Sequence, residues 1–182
     1  MASVVVIYHS GYGHTTKQAE AVAKGAGAEL IAISAEGEIS DADWAKLDAA
    51  KAIIMGSPTY MGSVSWQFKK FADTSSKVWF AQGWKNKIFA GFTNSASLNG
   101  DKGSTISYLV TLAMQHLGIW VGTGLMPAST KAATRQDVNS LGGFSGALMA
   151  TPADATADEV NAADLETARL LGVRVAELAA RL

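Results

Sequence analysis

Val4-Val5-Val6-Ile7-Tyr8-His9-Ser10-Gly11-Tyr12-Gly13-His14-Thr15-Thr16 is the stretch that decides the fold. It opens with a continuous apolar run, Val4–Tyr8, which predicts a strand covered on both faces. It then passes through glycine, hydroxyl and histidine residues into Thr16–Ala26, where apolar residues recur at helical spacing. A buried strand that turns directly into a helix is the repeating unit of a parallel α/β sheet.

The same alternation recurs along the chain, and it predicts a doubly wound α/β fold with five parallel strands. The further predicted strands are Leu30–Ile33, Ala52–Met55, Ile88–Phe92 and Ile119–Val121. The further predicted helices are Asp41–Leu47 (with Ser40 as N-cap), Ser65–Ala72, Thr105–Leu117 and Asp164–Leu182. Because the sequence shows no internal repeat and no second core, residues 1–182 are predicted to form one domain.

Composition removes several classes of function. The 182 residues include no cysteine, which excludes disulfides, thiolate zinc sites, iron–sulfur clusters and cysteine nucleophiles. The net charge of -1 speaks against a basic nucleic-acid binder and against a strongly acidic carrier. No apolar run has the length of a membrane span, and the first residues do not resemble a signal peptide. The sequence therefore predicts a cytoplasmic protein with no metal site and with no nucleic-acid or membrane partner.

The first strand-end loop, His9–Thr16, has the composition of an anion site. Ligands of open α/β sheets bind outside the carboxyl ends of the strands, where helix N-termini favour anions. The hydroxyls of Ser10, Thr15 and Thr16 add donors, and the loop contains no Lys or Arg. It lacks the Gly-Lys-Ser/Thr of a Walker loop and the third glycine of the dinucleotide fingerprint. An ordinary turn with a Thr N-cap is the alternative.

Two further strand ends carry polar and aromatic residues. Gly56–Ser63 combines a bend at Pro58 with the hydroxyl of Thr59 and the aromatic ring of Tyr60. Thr93–Gly100 is small and polar, which suits hydrogen bonds to the edge of a heteroaromatic ring. The carboxyl ends of parallel strands meet at one edge of a sheet, so the three loops together predict a site for a mononucleotide with a polar ring system.

The loop Ser10–Thr15, the segment Gly56–Gly62 and the loop Thr93–Ser97 resemble the three FMN-binding loops of flavodoxin-like proteins. Within that superfamily the sequence most resembles the WrbA group of NAD(P)H:quinone oxidoreductases, through Tyr12-Gly13-His14 and Gly56-Ser57-Pro58-Thr59-Tyr60-Met61-Gly62. The resemblance implies a five-stranded parallel sheet in the order 2-1-3-4-5.

The resemblance also implies a role for each matching residue. The residues implied at the FMN phosphate are Ser10, Gly11, Tyr12, Gly13, His14, Thr15 and Thr16. Those implied at one side of the flavin ring are Pro58, Thr59, Tyr60, Met61 and Gly62. Those implied at the pyrimidine edge and ribityl chain are Thr93, Asn94, Ser95, Ala96 and Ser97. His116 is implied to approach the flavin, and Trp79 and Tyr12 to border the substrate space.

The chain departs from the family pattern in several places. The family carries a His-His-Gly context where this chain has Met114–Gly118, and its insertion between the second and third strands is longer than Ser34–Lys51. Family tetramers place their sites at subunit contacts, which implies a homodimer or homotetramer here. Gly122–Ala150, with five glycines and no clear period, is predicted to be an ordered lid or a subunit contact. A flexible insertion is the alternative.

The resemblance implies an FMN-dependent oxidoreductase that passes two electrons from NADH or NADPH to a quinone-like acceptor. No side chain is assigned a catalytic role, since the cofactor carries the redox chemistry. A flavodoxin-type electron carrier is the first alternative. A non-catalytic regulatory protein with a flavodoxin fold is the second, because Ala96 and Leu98 stand where the family prefers glycine.

Overall fold

A parallel sheet with helices on both faces forms the centre of the molecule, and the computed structural model describes residues 3–181. The strands are β1 (Val4–Tyr8), β2 (Glu29–Ala32), β3 (Ala52–Tyr60), β4 (Ser63–Val64), β5 (Ile88–Ser95), β6 (Ile119–Trp120) and β7 (Ala147–Ala150). The α-helices are α1 (His14–Ala26), α2 (Asp41–Ala49), α3 (Trp66–Thr74), α4 (Ser76–Phe80), α5 (Lys102–Gln115) and α6 (Ala162–Arg181). A 3₁₀ turn spans Ala157–Glu159. The last residue of the predicted final helix, Leu182, lies outside the described residues.

The doubly wound parallel sheet is confirmed, but the count of five strands and the order 2-1-3-4-5 need correction. The sheet has seven strands, with the path β2-β1-β3-β5-β6 and with β4 and β7 off that path. β4 folds back antiparallel onto the end of β3. β6 and β7 pair in parallel with successive parts of β5, so the last strand of the sheet is built from two segments.

Two predicted loops begin as strands. Pairing of β3 with β5 continues through Ser57↔Thr93 and Pro58↔Asn94, beyond the apolar runs that predicted these strands. The residues are polar because they approach the ligand-binding edge, and for that reason a hydrophobic pattern does not detect them. Their side chains are consequently held by a rigid sheet rather than by flexible loops.

The core lies in two layers, one on each face of the sheet. Val4 and Val6 of β1 pack in the layer covered by α1 and α6, together with Leu171. Val5 and Ile7 pack in the layer covered by α2, α3 and α5. Successive residues of a strand point to opposite faces, so a strand covered on both sides must be apolar throughout. This explains the continuous apolar run of β1.

Helix starts follow local sequence signals. The Ser40 hydroxyl accepts a hydrogen bond from Asp43 N at 3.2 Å, which confirms the predicted N-cap of α2. Ser65 caps α3 in the same way through Phe68 N at 3.3 Å. Side-chain caps of this kind satisfy backbone N–H groups that lack a partner within the helix.

Helices α1 and α6 pack closely where each has a glycine at the contact. A Cβ added at Gly172 of α6 would clash with the carbonyl oxygen of Val22, and one at Gly25 of α1 would clash with that of Arg169. Because neither helix can move away without opening the layer beneath, these glycines fix the position of α1. Its N-terminus points at the carboxyl edge of the sheet.

Gly122–Ala150 is an ordered segment, and its last four residues are strand β7. The Thr123 hydroxyl donates to the carbonyl of Gly143 at 2.8 Å, and Asn139 N donates to the Thr167 hydroxyl of α6 at 2.8 Å. The alternative of a flexible insertion is therefore wrong. Across residues 3–181, no helix is long and apolar enough to cross a membrane.

Candidate mononucleotide-binding site

A cleft of about 280 Å³ lies at the carboxyl ends of β1, β3, β5 and β7. Its lining residues are Ser10, Tyr12, His14, Thr15, Pro58, Thr59, Tyr60, Asn94, Ser95, Ala96, Thr151 and Ala153. The structure thus brings together members of all three predicted loops. The lining contains no Asp, Glu, Lys or Arg, so any anion here is held by hydrogen bonds and dipoles.

One end of the cleft is the N-terminus of α1. Gly13 is the N-cap with φ of 86°, and α1 has no side-chain cap there. The Ser10 hydroxyl accepts a hydrogen bond from Gly13 N at 3.0 Å, and this contact shapes the loop. Since Gly13 has no side chain, no side-chain cap accepts from the N–H groups in the first turn of α1. Uncapped N–H groups at the positive end of a helix dipole attract an anion. The alternative of a Thr N-cap is wrong, because the capping position is Gly13.

The opposite end of the cleft is held by buried hydroxyl and amide groups. The Thr59 hydroxyl donates a hydrogen bond to the Thr105 hydroxyl at 2.8 Å. The Thr93 hydroxyl lies 2.8 Å from the same Thr59 oxygen, and because Thr59 has only one hydrogen to donate, Thr93 is the donor in this second bond. Asn94 accepts from the Thr151 hydroxyl through Oδ1 at 3.1 Å. The amide nitrogen of Asn94 is therefore the atom left to donate into the cleft.

Two tyrosines form the mouth of the cleft. The rings of Tyr12 and Tyr60 meet edge to face with centroids 6.3 Å apart, and their exposed fractions are 76% and 37%. A Cβ at Gly11 would lie 2.6 Å from the Tyr60 hydroxyl oxygen, so this position must be glycine for the ring to lie where it does. Burial raises the pKa of Tyr60, which keeps its hydroxyl neutral.

Residues 151–160, the cover segment, close the cleft beside α1. Thr151 N donates to Ser95 O at 3.1 Å, and His14 Nε2 donates to Ala155 O at 2.8 Å. Lys17 Nζ forms an ion pair with Asp158 Oδ1 at 2.8 Å. The sequence analysis assigned no site residue in this segment, because strand β7, which brings it to the carboxyl edge, was not predicted.

Several predicted cofactor residues lie beside the cleft rather than in its lining. Met61 and Gly62 have φ values of 47° and 78° and form the two-residue turn of the β3–β4 hairpin. Met61 is fully exposed and faces an open groove next to Trp66. Gly11 and Gly13, which shape the first loop, also lie outside the lining. The other predicted cofactor residues outside the lining are Thr16, Thr93 and Ser97.

The structure places His116 and Trp79 outside the cleft lining. His116 is 3% exposed, its Nε2 lies 2.8 Å from the Ser75 hydroxyl, and its ring packs against Trp84 at a centroid distance of 4.5 Å. It is a core residue and does not line the cleft. Trp79 lies on the short helix α4 and is 48% exposed, also outside the lining. Within one chain, neither side chain contributes to the cleft.

The predicted lid also requires correction. The cleft lining contains no residue from 122–150, and the first contribution after β7 is Thr151. The segment packs instead along α6, through Asn139 and Thr167. The cover segment, which follows β7, closes the cleft beside α1 instead, and a subunit contact through residues 122–150 stays a prediction.

Comparisons with known proteins identify the family. A family model described as NADPH-dependent FMN reductase matches residues 15–134. "Flavodoxin FldP" of Pseudomonas aeruginosa is 53% identical over 182 residues, covering 100% of this chain and 99% of that protein. An "NAD(P)H dehydrogenase (quinone)" of Rhizobium rhizogenes is 33% identical over 201 residues, covering 100% of this chain and 99% of that protein.

A solved structure supports the same assignment. The crystal structure of "the flavodoxin, WrbA-like protein from Agrobacterium tumefaciens" is 52% identical, with a TM-score of 0.84, and the match covers 100% of this chain and 99% of that one. The flavodoxin-like α/β parallel sheet is thereby confirmed. The chain belongs to the NADPH-dependent FMN reductase family and is a WrbA-like member of the flavodoxin-like proteins.

Proposed function

We propose that this protein is an FMN-dependent oxidoreductase that passes two electrons from NADH or NADPH to a quinone-like acceptor. The observation that carries the proposal is that the uncapped N-terminus of α1 opens into the same cleft as Asn94 and the two tyrosines. One phosphate and one flat polar ring, joined by a chain, match that arrangement.

The residues present fit FMN. The phosphate would lie at the first turn of α1, next to Ser10 and Thr15. The polar edge of the ring would face Asn94 and Ser95, with its flat side toward the tyrosines. When bound, FMN supplies two-electron redox chemistry that the side chains lining this cleft cannot perform.

The protein's own groups position and enclose the ligand. Pairing with β4 fixes Thr59, pairing with β3 fixes Asn94, and the Thr151 hydroxyl sets which atom of the Asn94 amide faces the cleft. The His14–Ala155 hydrogen bond holds the cover segment over the α1 end of the cleft. The tyrosine mouth is left open, and we assign the NAD(P)H donor and the quinone-like acceptor to that opening.

The names of two relatives favour different functions. The Rhizobium relative is named a quinone dehydrogenase, whereas the Pseudomonas relative, at 53% identity, is named a flavodoxin. Electron carrier is therefore the second candidate function. A net charge of -1 and a cleft lining without carboxylates favour the reductase, because carriers that dock on basic partners rely on acidic surfaces.

The discriminating experiment uses purified full-length protein loaded with FMN. Oxidation of NADH and of NADPH is followed at saturating benzoquinone and, separately, with cytochrome c as a one-electron protein acceptor. The reductase predicts multiple turnovers with benzoquinone from one of the two donors. No turnover with either donor, combined with electron delivery to cytochrome c once a separate reductase is added, would identify a carrier. Failure to bind flavin at all would identify the regulatory alternative.

Three further properties are part of the same proposal. We propose that residues 1–182 form one FMN-binding domain and that the protein acts in the cytoplasm, where NAD(P)H is available. We also propose a homodimer or homotetramer, since Met61 and Trp66 expose apolar surface along one groove. Light scattering of the purified protein measures the oligomeric state, and a monomer at micromolar concentration would exclude both assemblies.

A further inference from the structure

Lys102 is a buried cation that the sequence analysis did not single out. It is the first residue of α5 and is 1% exposed. Its Nζ donates to three backbone carbonyls, those of Ser97 at 2.6 Å, Leu98 at 3.1 Å and Asn99 at 3.4 Å. A lysine this deeply buried is rare, because desolvation of the ammonium must be offset by its hydrogen bonds.

The three carbonyls belong to the loop that continues from the cleft lining. Ser95 and Ala96 line the cleft, and the chain then turns back toward Lys102 at Gly100, with φ of 51°. A Cβ at Gly100 would clash with the Ser95 hydroxyl, so the loop is tightly closed around the ammonium. Lys102 therefore anchors the loop whose first residues, Ser95 and Ala96, line the cleft.

The charge of Lys102 is not cancelled by a partner. Among residues 3–181, its Nζ forms no ion pair; the nearby carboxylate of Asp164 is held instead by Arg135, through Nη1 at 2.9 Å and Nη2 at 2.6 Å. These three side chains together carry one excess positive charge. Burial lowers the pKa of Lys102 to about 8, with Asp164 raising it and Arg135 lowering it, so the ammonium is mostly protonated at pH 7.

The backbone extends the influence of this charge along the loop that continues from Ser95 and Ala96. Each carbonyl shares a peptide unit with the N–H of the next residue, and a cation on the oxygen strengthens that N–H as a donor. The Ser97 carbonyl is thus coupled to Leu98 N, and the Leu98 carbonyl to Asn99 N. The N–H groups of Leu98 and Asn99 are therefore stronger hydrogen-bond donors than the N–H groups of an uncharged loop.

We propose that Lys102 tunes the flavin: its buried charge, acting through the loop that follows Ser95, stabilises reduced FMN relative to oxidised FMN. The inference rests on the proposed function. Hydride transfer from NAD(P)H delivers two electrons and one proton, so the ring gains one negative charge while the nicotinamide becomes oxidised. A buried positive charge next to the ring edge favours the more negative form, which makes the bound flavin the stronger oxidant.

The test compares Lys102→Gln, Lys102→Arg and Lys102→Met with the wild-type protein. Gln retains a donor for the loop carbonyls without the charge, Arg retains the charge, and Met retains neither. Lys87→Met is the matched control, because Lys87 also donates to backbone carbonyls, of Asp48 and Ala50, but beside the first residue of β5, at the end of the sheet away from the cleft. The dissociation constant of oxidised FMN and the midpoint potential of bound FMN are measured for each.

Loss of the charge should weaken binding of reduced FMN about tenfold relative to oxidised FMN, as expected for one buried unit charge. For a two-electron couple that ratio corresponds to a fall of about 30 mV in midpoint potential. Lys102→Gln and Lys102→Met should show the fall, whereas Lys102→Arg and Lys87→Met should keep the wild-type potential. Lys102→Met alone should also weaken oxidised FMN, because the loop loses its anchor.

The inference is wrong if Lys102→Gln binds FMN at the wild-type potential, or if Lys87→Met shifts the potential equally. A Lys102→Arg variant that binds FMN but has the potential of Lys102→Gln would also overturn it, since charge would then not be the cause. Should Lys102→Met not fold, the Gln and Arg variants still decide. Failure of the wild-type protein to bind FMN would refute the proposed function itself, before any variant is measured.

Discussion

The imidazole Nε2 of His14 lies 2.8 Å from the carbonyl oxygen of Ala155, which joins positions 141 residues apart in the chain. His14 begins α1, and Ala155 lies in the cover segment that follows β7. One end of the candidate site is thus closed by two distant parts of the sequence. The contact holds the cover segment against the N-terminus of α1.

Replacing His14 with leucine should weaken FMN binding. The Ala155 carbonyl would lose its donor, and an unsatisfied hydrogen bond of this kind costs about 1 kcal/mol, or roughly fivefold in the dissociation constant. Stopped-flow release of FMN should show a faster dissociation rate. Asp158→Asn is the control, because its ion pair with Lys17 is exposed and should change the rate by less than about twofold. Equal effects of the two variants would contradict the role given to His14.

Replacing Thr151 with valine should destabilise the protein and its complex with FMN. The change keeps the shape of the side chain but leaves the buried Oδ1 of Asn94 without its donor. The expected loss is about 1–2 kcal/mol in the free energy of unfolding, measured by urea titration. Thr111→Val removes an exposed hydroxyl that donates to Ser107 O, and it should stay within about 0.5 kcal/mol of wild type.

Stability should fall as the pH is lowered below neutrality. Burial lowers the pKa of His116 and of His9 below their ordinary value of 6.5. The unfolded chain then binds more protons than the folded one between the folded pKa and 6.5, so the free energy of unfolding decreases as pH falls through that window. His116→Gln should reduce this dependence, as judged from urea titrations between pH 7.5 and 5. An unchanged pH dependence in the variant would show that His116 does not contribute.

Two helical glycines, one at the α1–α6 contact and one on an open face of α5, should respond differently to substitution by alanine. Gly172→Ala should cost about 1–3 kcal/mol, since its Cβ would meet the Val22 carbonyl and the helices would have to separate. Gly103→Ala in α5 should be neutral or stabilising by up to about 1 kcal/mol, because a Cβ there meets nothing within 4 Å. Melting temperatures of the two variants test this directly. A stable Gly172→Ala protein would mean that the helix packing is looser than described.

Features that depend on residues adjacent in the chain could be predicted from the sequence. The β1 run, the Ser40 cap and the three polar strand ends could be placed, because each depends on residues adjacent in the chain. The parts that were missed depend on contacts across the fold. Strand β7, Ala147-Leu148-Met149-Ala150, has no β-branched residue and gives no strand signal, and without it the cover segment cannot be placed at the edge.

The roles of individual residues were missed for related reasons. Thr105 and Lys102 occur at the start of a helix, where a hydroxyl or a lysine is usually exposed. Only the position of α5 in the fold brings Thr105 against Thr59 and Lys102 against the loop after β5. His116 was placed by the resemblance alone, and the fold turns it toward Ser75 and Trp84 instead. The lid was placed by composition, which cannot distinguish a segment over the cleft from one along α6.

The central claim is that the cleft binds a flavin through its phosphate at the N-terminus of α1. It is tested most directly by titrating flavin-free protein with FMN and with riboflavin, which differ only in the phosphate, while flavin fluorescence is recorded. We expect FMN to bind at least about a hundredfold more tightly, since several uncapped N–H groups and the helix dipole act on the phosphate alone. Equal affinities for the two flavins, or no binding of either, would contradict the account.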